Sequence, residues 1–311
     1  MKSTKYLAID KNIISEGISL KFNIFMLSSD EEMYCIKENG ICFTRDDKVI
    51  ISSADILYVD EAQHNEYEEF YETFLETQEE LKNIKLDKKP SVAYKHASNV
   101  LSNLFSNPED LGNYESSKEV VNQMLETILD DDFTIKSIMD ITTHDYYTHT
   151  HSINVSIYAL CLGAYLKMQP ETLSALGEAA LLHDLGKSKV DPAIITKNGI
   201  LTDREFHEVK KHSELGYKLG LKLGINNNDV LDGIRYHHEK MDGTGYPSGL
   251  KGSDIPFFAR IICICDIFDA LTSRRTYKEA MTTFEAIKLM KLTMKNHVDI
   301  KLLNKMIMLF R

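Results

Sequence analysis

No apolar run in the chain approaches the roughly 18 residues that cross a bilayer, so no membrane-spanning helix is expected. The first 20 residues carry Asp10 and Glu16 and lack a basic head followed by an apolar core, so no secretory signal is expected either. Cysteine is sparse and unpatterned. Cys35, Cys42, Cys161, Cys263 and Cys265 are odd in number, form no CxxC and sit among apolar residues, which predicts buried free thiols and a cytoplasmic protein. Positive charge is short: the formal net charge is −11. That argues against an open basic groove for a nucleic-acid polymer. A small anionic ligand would need local positive charge or metal to override the global field. From Val49 to Leu81 there is no Lys or Arg, which suits a solvated acidic helix face or a docking surface.

What is present divides the 311 residues in two. Leu20-Lys21-Phe22-Asn23-Ile24 alternates apolar and polar, as a half-buried strand does. Short apolar runs follow at Met33–Ile36, Ile41–Phe43, Val49–Ile51 and Ile56–Val59, with turns at Asn39-Gly40 and Arg45-Asp46-Asp47. The period then becomes helical at Tyr67, Phe70, Tyr71, Phe74, Gln78 and Leu81. Lys88-Lys89-Pro90 breaks that helix. A second helix fits Val92 to Phe105 and ends at Asn107-Pro108. Ser116–Glu119, Thr202–Glu205 and Thr282–Glu285 read as capping boxes. The pattern predicts an α+β protein: a small β-rich domain over 1–65, a helical connector over 66–110, and an all-helical domain over 111–311. The helical part is long enough to bury its own core.

Chemistry concentrates in the helical part. Leu181-Leu182-His183-Asp184-Leu185-Gly186-Lys187 ends a helix whose Ala175, Leu176, Ala179 and Ala180 are apolar. Gly186 suits a left-handed closing residue. A buried Asp costs several kcal/mol unless it is paired or bound to metal. Of the 11 histidines, His151, His183, His212, His237 and His238 fall in apolar-periodic helices. Asp184 and Asp266 do too. A metal centre satisfies several imidazoles and two carboxylates together. Seven nitrogen and oxygen donors exceed the needs of one tetrahedral zinc and suit two octahedral ions sharing a carboxylate, with Fe or Mn favoured over Zn, Ni or Mg. His237 and His238 sit about 100° apart on a helix, which lets adjacent rings reach different parts of one cluster. The loop from Asp242 to Gly252 is rich in glycine and is built for a fixed irregular path.

His183-Asp184 resembles the signature of the HD phosphohydrolase superfamily. Tyr147-Thr148, His151-Ser152, Asn154-Val155, His237-His238-Glu239, Asp242-Gly243, Gly245-Tyr246-Pro247, Gly249 to Gly252, Ile255-Pro256 and Asp269 to Ser273 resemble the HD-GYP family. That resemblance covers roughly Asp145 to Phe310, and the first 60 or so residues look like an accessory domain found before some HD-GYP domains. It implies a bacterial cyclic-di-GMP phosphodiesterase that opens a 3′–5′ phosphodiester by metal-assisted hydrolysis to pGpG, with a second cut to GMP less favoured. It implies His151, His183, Asp184, His212, His237, His238 and Asp266 as metal ligands, with Asp184 bridging two divalent ions. Lys187, Arg275 and Lys278 align with basic residues that hold the scissile phosphate. Tyr246 would line the substrate pocket or meet a partner, such as a GGDEF-domain protein. Thr276 replaces the family's usual Pro. Tyr147 stands where some members carry a Glu that binds a third metal, so two ions are expected. The alternatives are a non-catalytic module that binds cyclic-di-GMP or a GGDEF partner, and an HD phosphohydrolase for another nucleotide.

Overall fold

A computed structural model describes residues 6–9, 14, 19–27, 33–44, 47, 51, 56–71, 90–129, 148–197, 199–273 and 280–310. The chain separates into two units, Met1–Asn83 and Ile84–Arg311.

The first unit holds strands β1 (Tyr6–Ile9), β2 (Ile24–Leu27), β3 (Met33–Lys37) and β4 (Leu57–Asp60). They form one antiparallel sheet in the order β1-β4-β2-β3. The alternating stretch before β2 is only partly strand: Lys21 and Phe22 bend, and pairing starts at Ile24 with a bulge next to Phe25. Burial still follows the alternation, with Leu20, Phe22 and Ile24 inside. Ile41–Phe43 adds only one bridge, Ser19 to Cys42, and Ile51 is helical. Residues 64–71 are helical as their periodicity predicts, while 72–81 lie outside the described residues. Tyr67 and Phe70 pack edge-on against Phe22, at 5.7 and 5.9 Å.

The second unit is helical. Its helices are α1 (Pro90–Ser106), α2 (Leu111–Ile128), α3 (Thr148–Tyr165), α4 (Pro170–Leu182), α5 (Pro192–Ile195), α6 (Asp203–Lys210), α7 (His212–Lys222), α8 (Asn228–Tyr236), α9 (Phe257–Thr272), α10 (Thr283–Thr293) and α11 (Ile300–Leu309). α3 is the central helix, with residues 150–163 all buried. It packs against α1, α2, α4, α9 and α11. A helix enclosed on every side needs no polar face, which is why its sequence shows little amphipathic stripe.

Local signals held unevenly. Thr202 and Thr282 form complete capping boxes. Ser116 does not cap: Asp110 caps α2 instead, accepting from Asn113 N, and Ser116 lies inside the helix. The thiols divide, Cys161, Cys263 and Cys265 being buried and Cys35 and Cys42 exposed on the small unit. Among the described residues no helix is long and apolar enough to cross a membrane.

Candidate metal centre

Four helix ends and one helix interior converge on a single cluster. His151 stands in the first turn of α3, and His183 and Asp184 directly follow α4. His212 opens α7, His237 and His238 follow α8, and Asp266 lies within α9. The donor atoms fall into two groups, His151, His183 and Asp266 in one, and Asp184, His212, His237 and His238 in the other. Within each group they lie no more than 4.8 Å apart. Asp184 reaches both. Its Oδ2 is 3.4 Å from His183 Nε2 and 3.7 Å from His151 Nε2, while its Oδ1 is 3.4 Å from His212 Nε2. The seven residues expected as ligands are therefore brought together.

Gly186 is what lets the His-Asp segment approach His212. It lies in the 3-10 turn Leu185–Lys189 and is not left-handed, contrary to the sequence expectation. A Cβ there would stand 1.9 Å from the His212 carbonyl oxygen. The glycine is required by backbone contact with α7 rather than by its own φ.

The backs of the rings fix their chemistry. His183, His212 and His237 each direct Nδ1 at the carbonyl three residues earlier, those of Ala180, Val209 and Ile234, at 2.7, 2.7 and 2.8 Å. A carbonyl only accepts, so Nδ1 carries the proton and Nε2 presents a lone pair to the cluster. His151 does the same to the carboxylate of Asp269, at 2.7 Å.

Lone pairs then face acceptors. His212 Nε2 and His237 Nε2 are 3.2 Å apart, and His151 Nε2 is 3.1 Å from Asp266 Oδ1. Each contact needs a shared cation, a proton or a metal ion. Protons are a poor answer, because burial pushes the imidazoles down: His212 to about 4, His238 to about 3, His183 and His237 lower than usual as well. Burial alone would raise Asp184, but the Lys187 ammonium at its Oδ2 outweighs it and holds the carboxyl well below its usual range. Neutral imidazoles beside ionised carboxylates are the protonation state that metal binding requires. His183 Nε2 and Asp184 Oδ1 are buried without a hydrogen bond, as metal donors would be before the ion arrives. The residues present fit a hard or borderline divalent metal.

The rim carries the other expected residues. Lys187 Nζ is 2.5 Å from Asp184 Oδ2, with 22% of its side chain exposed. The Tyr246 ring lies over His238 at 4.7 Å, and Lys210 Nζ stands 5.4 Å from its centroid. Arg275, Lys278, Thr276 and Tyr147 lie outside the described residues.

Two further acids belong to the site, and neither was assigned a role from sequence. Asp269, fully buried, orients His151 and accepts from Asn154 Nδ2 at 2.8 Å and Ser273 Oγ at 2.9 Å. Its spacing of one helical turn from Asp266 was the available signal. Glu239 accepts from the backbone N–H groups of Ser248, Gly249 and Leu250 at 2.7, 3.0 and 3.0 Å. These bonds hold the loop that carries Tyr246 against the cluster. Gly245 in that loop has no room for a side chain: a Cβ would meet Lys240 N at 2.4 Å.

A family model described as HD domain matches residues 105–302, well over half of the chain and every member of the cluster. The chain belongs to the HD domain family. Within it, the ordered series from His183-Asp184 to Gly245-Tyr246-Pro247 marks it as an HD-GYP protein. A cyclic di-GMP phosphodiesterase of Pseudomonas aeruginosa is 36% identical over 174 residues, 56% of this chain and 42% of that protein. The cyclic di-GMP phosphodiesterase response regulator RpfG of Xanthomonas campestris is 41% identical over 124 residues, 39% of this chain and 32% of that protein. A 3′3′-cGAMP-specific phosphodiesterase of Vibrio cholerae is 37% identical over 154 residues, 49% of this chain and 33% of that protein. The chain thus spans less than half the length of these curated relatives. The solved structure of an HDG"Y"P protein from Bdellovibrio bacteriovorus shares the fold, with a TM-score of 0.67, 19% identity, and coverage of 97% of this chain and 98% of that one.

Proposed function

We propose that this HD-GYP protein is a metal-dependent phosphodiesterase that hydrolyses cyclic-di-GMP. The observation that carries this is the pair of donor groups joined by Asp184, with lone pairs facing acceptors across 3.1–3.2 Å. His151, His183 and Asp266 would hold one divalent ion, His212, His237 and His238 a second, and Asp184 both. Fe or Mn suits imidazole and carboxylate donors without thiolate. When bound, such ions supply Lewis acidity and bring the pKa of a bound water from 15.7 towards about 7.

The chain's own residues do the rest. The carbonyls of Ala180, Val209 and Ile234, with Asp269, aim the imidazoles before any ion binds. Lys187 reaches both Asp184 and solvent, so a phosphoryl oxygen can replace the carboxylate as its acceptor. Arg275 and Lys278 would add charge to the same phosphate. Tyr246 shields the His238 side of the cluster and would line the substrate pocket, with a GGDEF-domain partner as its alternative contact. Adding water across one P–O bond opens the ring to pGpG. A second cut to GMP would have to accommodate an added terminal phosphate. We assign residues 1–65 to regulation, 66–110 to a connector, 111–311 to catalysis, and the whole to the cytoplasm.

A cGAMP-specific relative of comparable identity makes 3′3′-cGAMP the competing substrate. The test is turnover of both cyclic dinucleotides by anaerobically purified protein loaded with Mn or Fe, alongside elemental analysis. Two ions per chain with pGpG release from cyclic-di-GMP are expected. Preference for cGAMP would reassign the substrate. Two bound ions without turnover of either would favour a non-catalytic module. One ion, or a filled third site, would overturn the two-metal assignment.

A further inference from the structure

Behind His151 a run of buried hydrogen bonds leads out of the HD match. Asp269 accepts from His151 through Oδ2 and from Asn154 Nδ2 through Oδ1. Asn154 Oδ1 accepts in turn from the Tyr94 hydroxyl at 2.7 Å, and that hydroxyl also lies 3.0 Å from the Thr150 carbonyl oxygen. The amide can take only one orientation here, because a flip would set its carbonyl against the Asp269 carboxylate. Tyr94, Asn154, Asp269 and Ser273 are all buried. Tyr94 belongs to α1 and precedes residue 105, where the HD match begins. α1 is anchored by Ala97, Leu101 and Leu104 in the helical core. Packing of that face thereby sets where the Tyr94 hydroxyl stands.

We propose that Tyr94 is a positioning residue for His151, acting through Asn154 and Asp269. The hydroxyl holds the Asn154 amide, the amide and Ser273 hold the Asp269 carboxylate, and the carboxylate holds the tautomer and aim of His151 Nε2. Residues that orient metal ligands from behind typically change metal affinity about 10–100-fold when lost. The effect should fade with each further link. α1 lies in sequence between the N-terminal unit and the HD match, so this path makes it a lever on the metal centre rather than a passive connector. The proposal rests on His151 being a metal ligand.

The experiment titrates Mn²⁺ into the metal-free 311-residue chain by calorimetry, with melting temperature measured in parallel. Tyr94→Phe removes one hydroxyl. It is expected to weaken Mn²⁺ binding about 3–10-fold, and Asp269→Asn about 10–100-fold. The double variant should be no more than about twofold weaker than Asp269→Asn, because both act on one path. A purely structural Tyr94 would lower the melting temperature and leave Mn²⁺ affinity within about twofold of wild type, which overturns the proposal. Full additivity in the double variant overturns it too. If Tyr94→Phe does not fold, Asn154→Ser breaks the same path, and wild-type affinity in that variant equally overturns the proposal. Wild-type protein that binds no Mn²⁺ would instead overturn the metal reading of His151, and this proposal with it.

Discussion

The two units bury different kinds of side chain. Among the described residues, the buried set of Met1–Asn83 is apolar or aromatic: Ile9, Leu20, Phe22, Ile24, Phe43, Ile51, Leu57, Val59 and Tyr67. Its polar ties include a part-buried one, where Asp47 accepts from Thr44 N and pairs with Lys37. The helical unit buries His151, His183, Asp184, His212, His237, Glu239 and Asp269 as well as its apolar core. The hydrophobic effect accounts for the first unit. It opposes the second, since each buried ionisable group costs several kcal/mol unless something compensates. Hydrogen bonds compensate Asp269 and Glu239, and the remaining clustered donors fit a bound metal. The difference concentrates the candidate chemistry in the helical unit.

Four measurements break or sharpen that contrast. The largest expected effect is at Asp184. Asp184→Ala removes the carboxylate that touches both donor groups, so metal content and turnover should be lost together. Circular dichroism confirms folding, and retention of two ions would break the bridging assignment. Lys187→Ala comes next. Lys187 touches Asp184 but is not itself a metal donor, so metal content should stay near wild type while the rate falls about 10²–10³-fold, as for one lost transition-state donor. Equal loss of metal in both variants would move Lys187 into the scaffold.

Phe22→Ala tests the other unit. Phe22 is buried against Tyr67 and Phe70, and its truncation should cost about 3–5 kcal/mol of that unit's stability. Metal content should not change, and residues 84–311 alone should still bind metal. Loss of metal in either case would show that the units are not separable in function. The smallest effect is that of pH on the metal-free protein. Burial pushes His212 down to about 4, whereas an unfolded histidine titrates near 6.5. Between those values the unfolded chain binds a proton that the folded chain refuses, so acidification from about pH 6.5 destabilises the metal-free protein, by on the order of 1–3 kcal/mol. His238 follows the same direction more weakly, since 27% of its side chain is exposed. Thermal unfolding from about pH 7.5 to 5 measures this. A melting temperature that rises on acidification would mean that the cluster is held by protons.

Much of the site was legible because it is written in residue types that a core rarely tolerates. Histidines and acids inside apolar helices stand out against their surroundings, and they pointed to the residues that the fold brings together. Supporting groups were less visible. Asp269 and Glu239 are single acids whose importance comes from what they meet across the fold, a ring from α3 and a loop's backbone. Gly186 was legible as a special glycine and misread as to cause, because its neighbour is 26 residues away in sequence, at His212. The alternation at Leu20–Ile24 reported burial correctly and strand extent only loosely. Burial follows side-chain pattern, whereas strand extent depends on whether a partner strand supplies hydrogen bonds.

By itself the sequence determined the two-part α+β plan, the family and the identity of the clustered donors. These depend on local periodicity and on residue chemistry, both of which are properties of short stretches. Only the tertiary structure decided that Asp184 stands between two donor groups, that carbonyls and Asp269 set the imidazole tautomers, and that Tyr94 reaches that network from outside the HD match. Those facts depend on distances between helices far apart along the chain, and such distances are set by how the apolar faces pack.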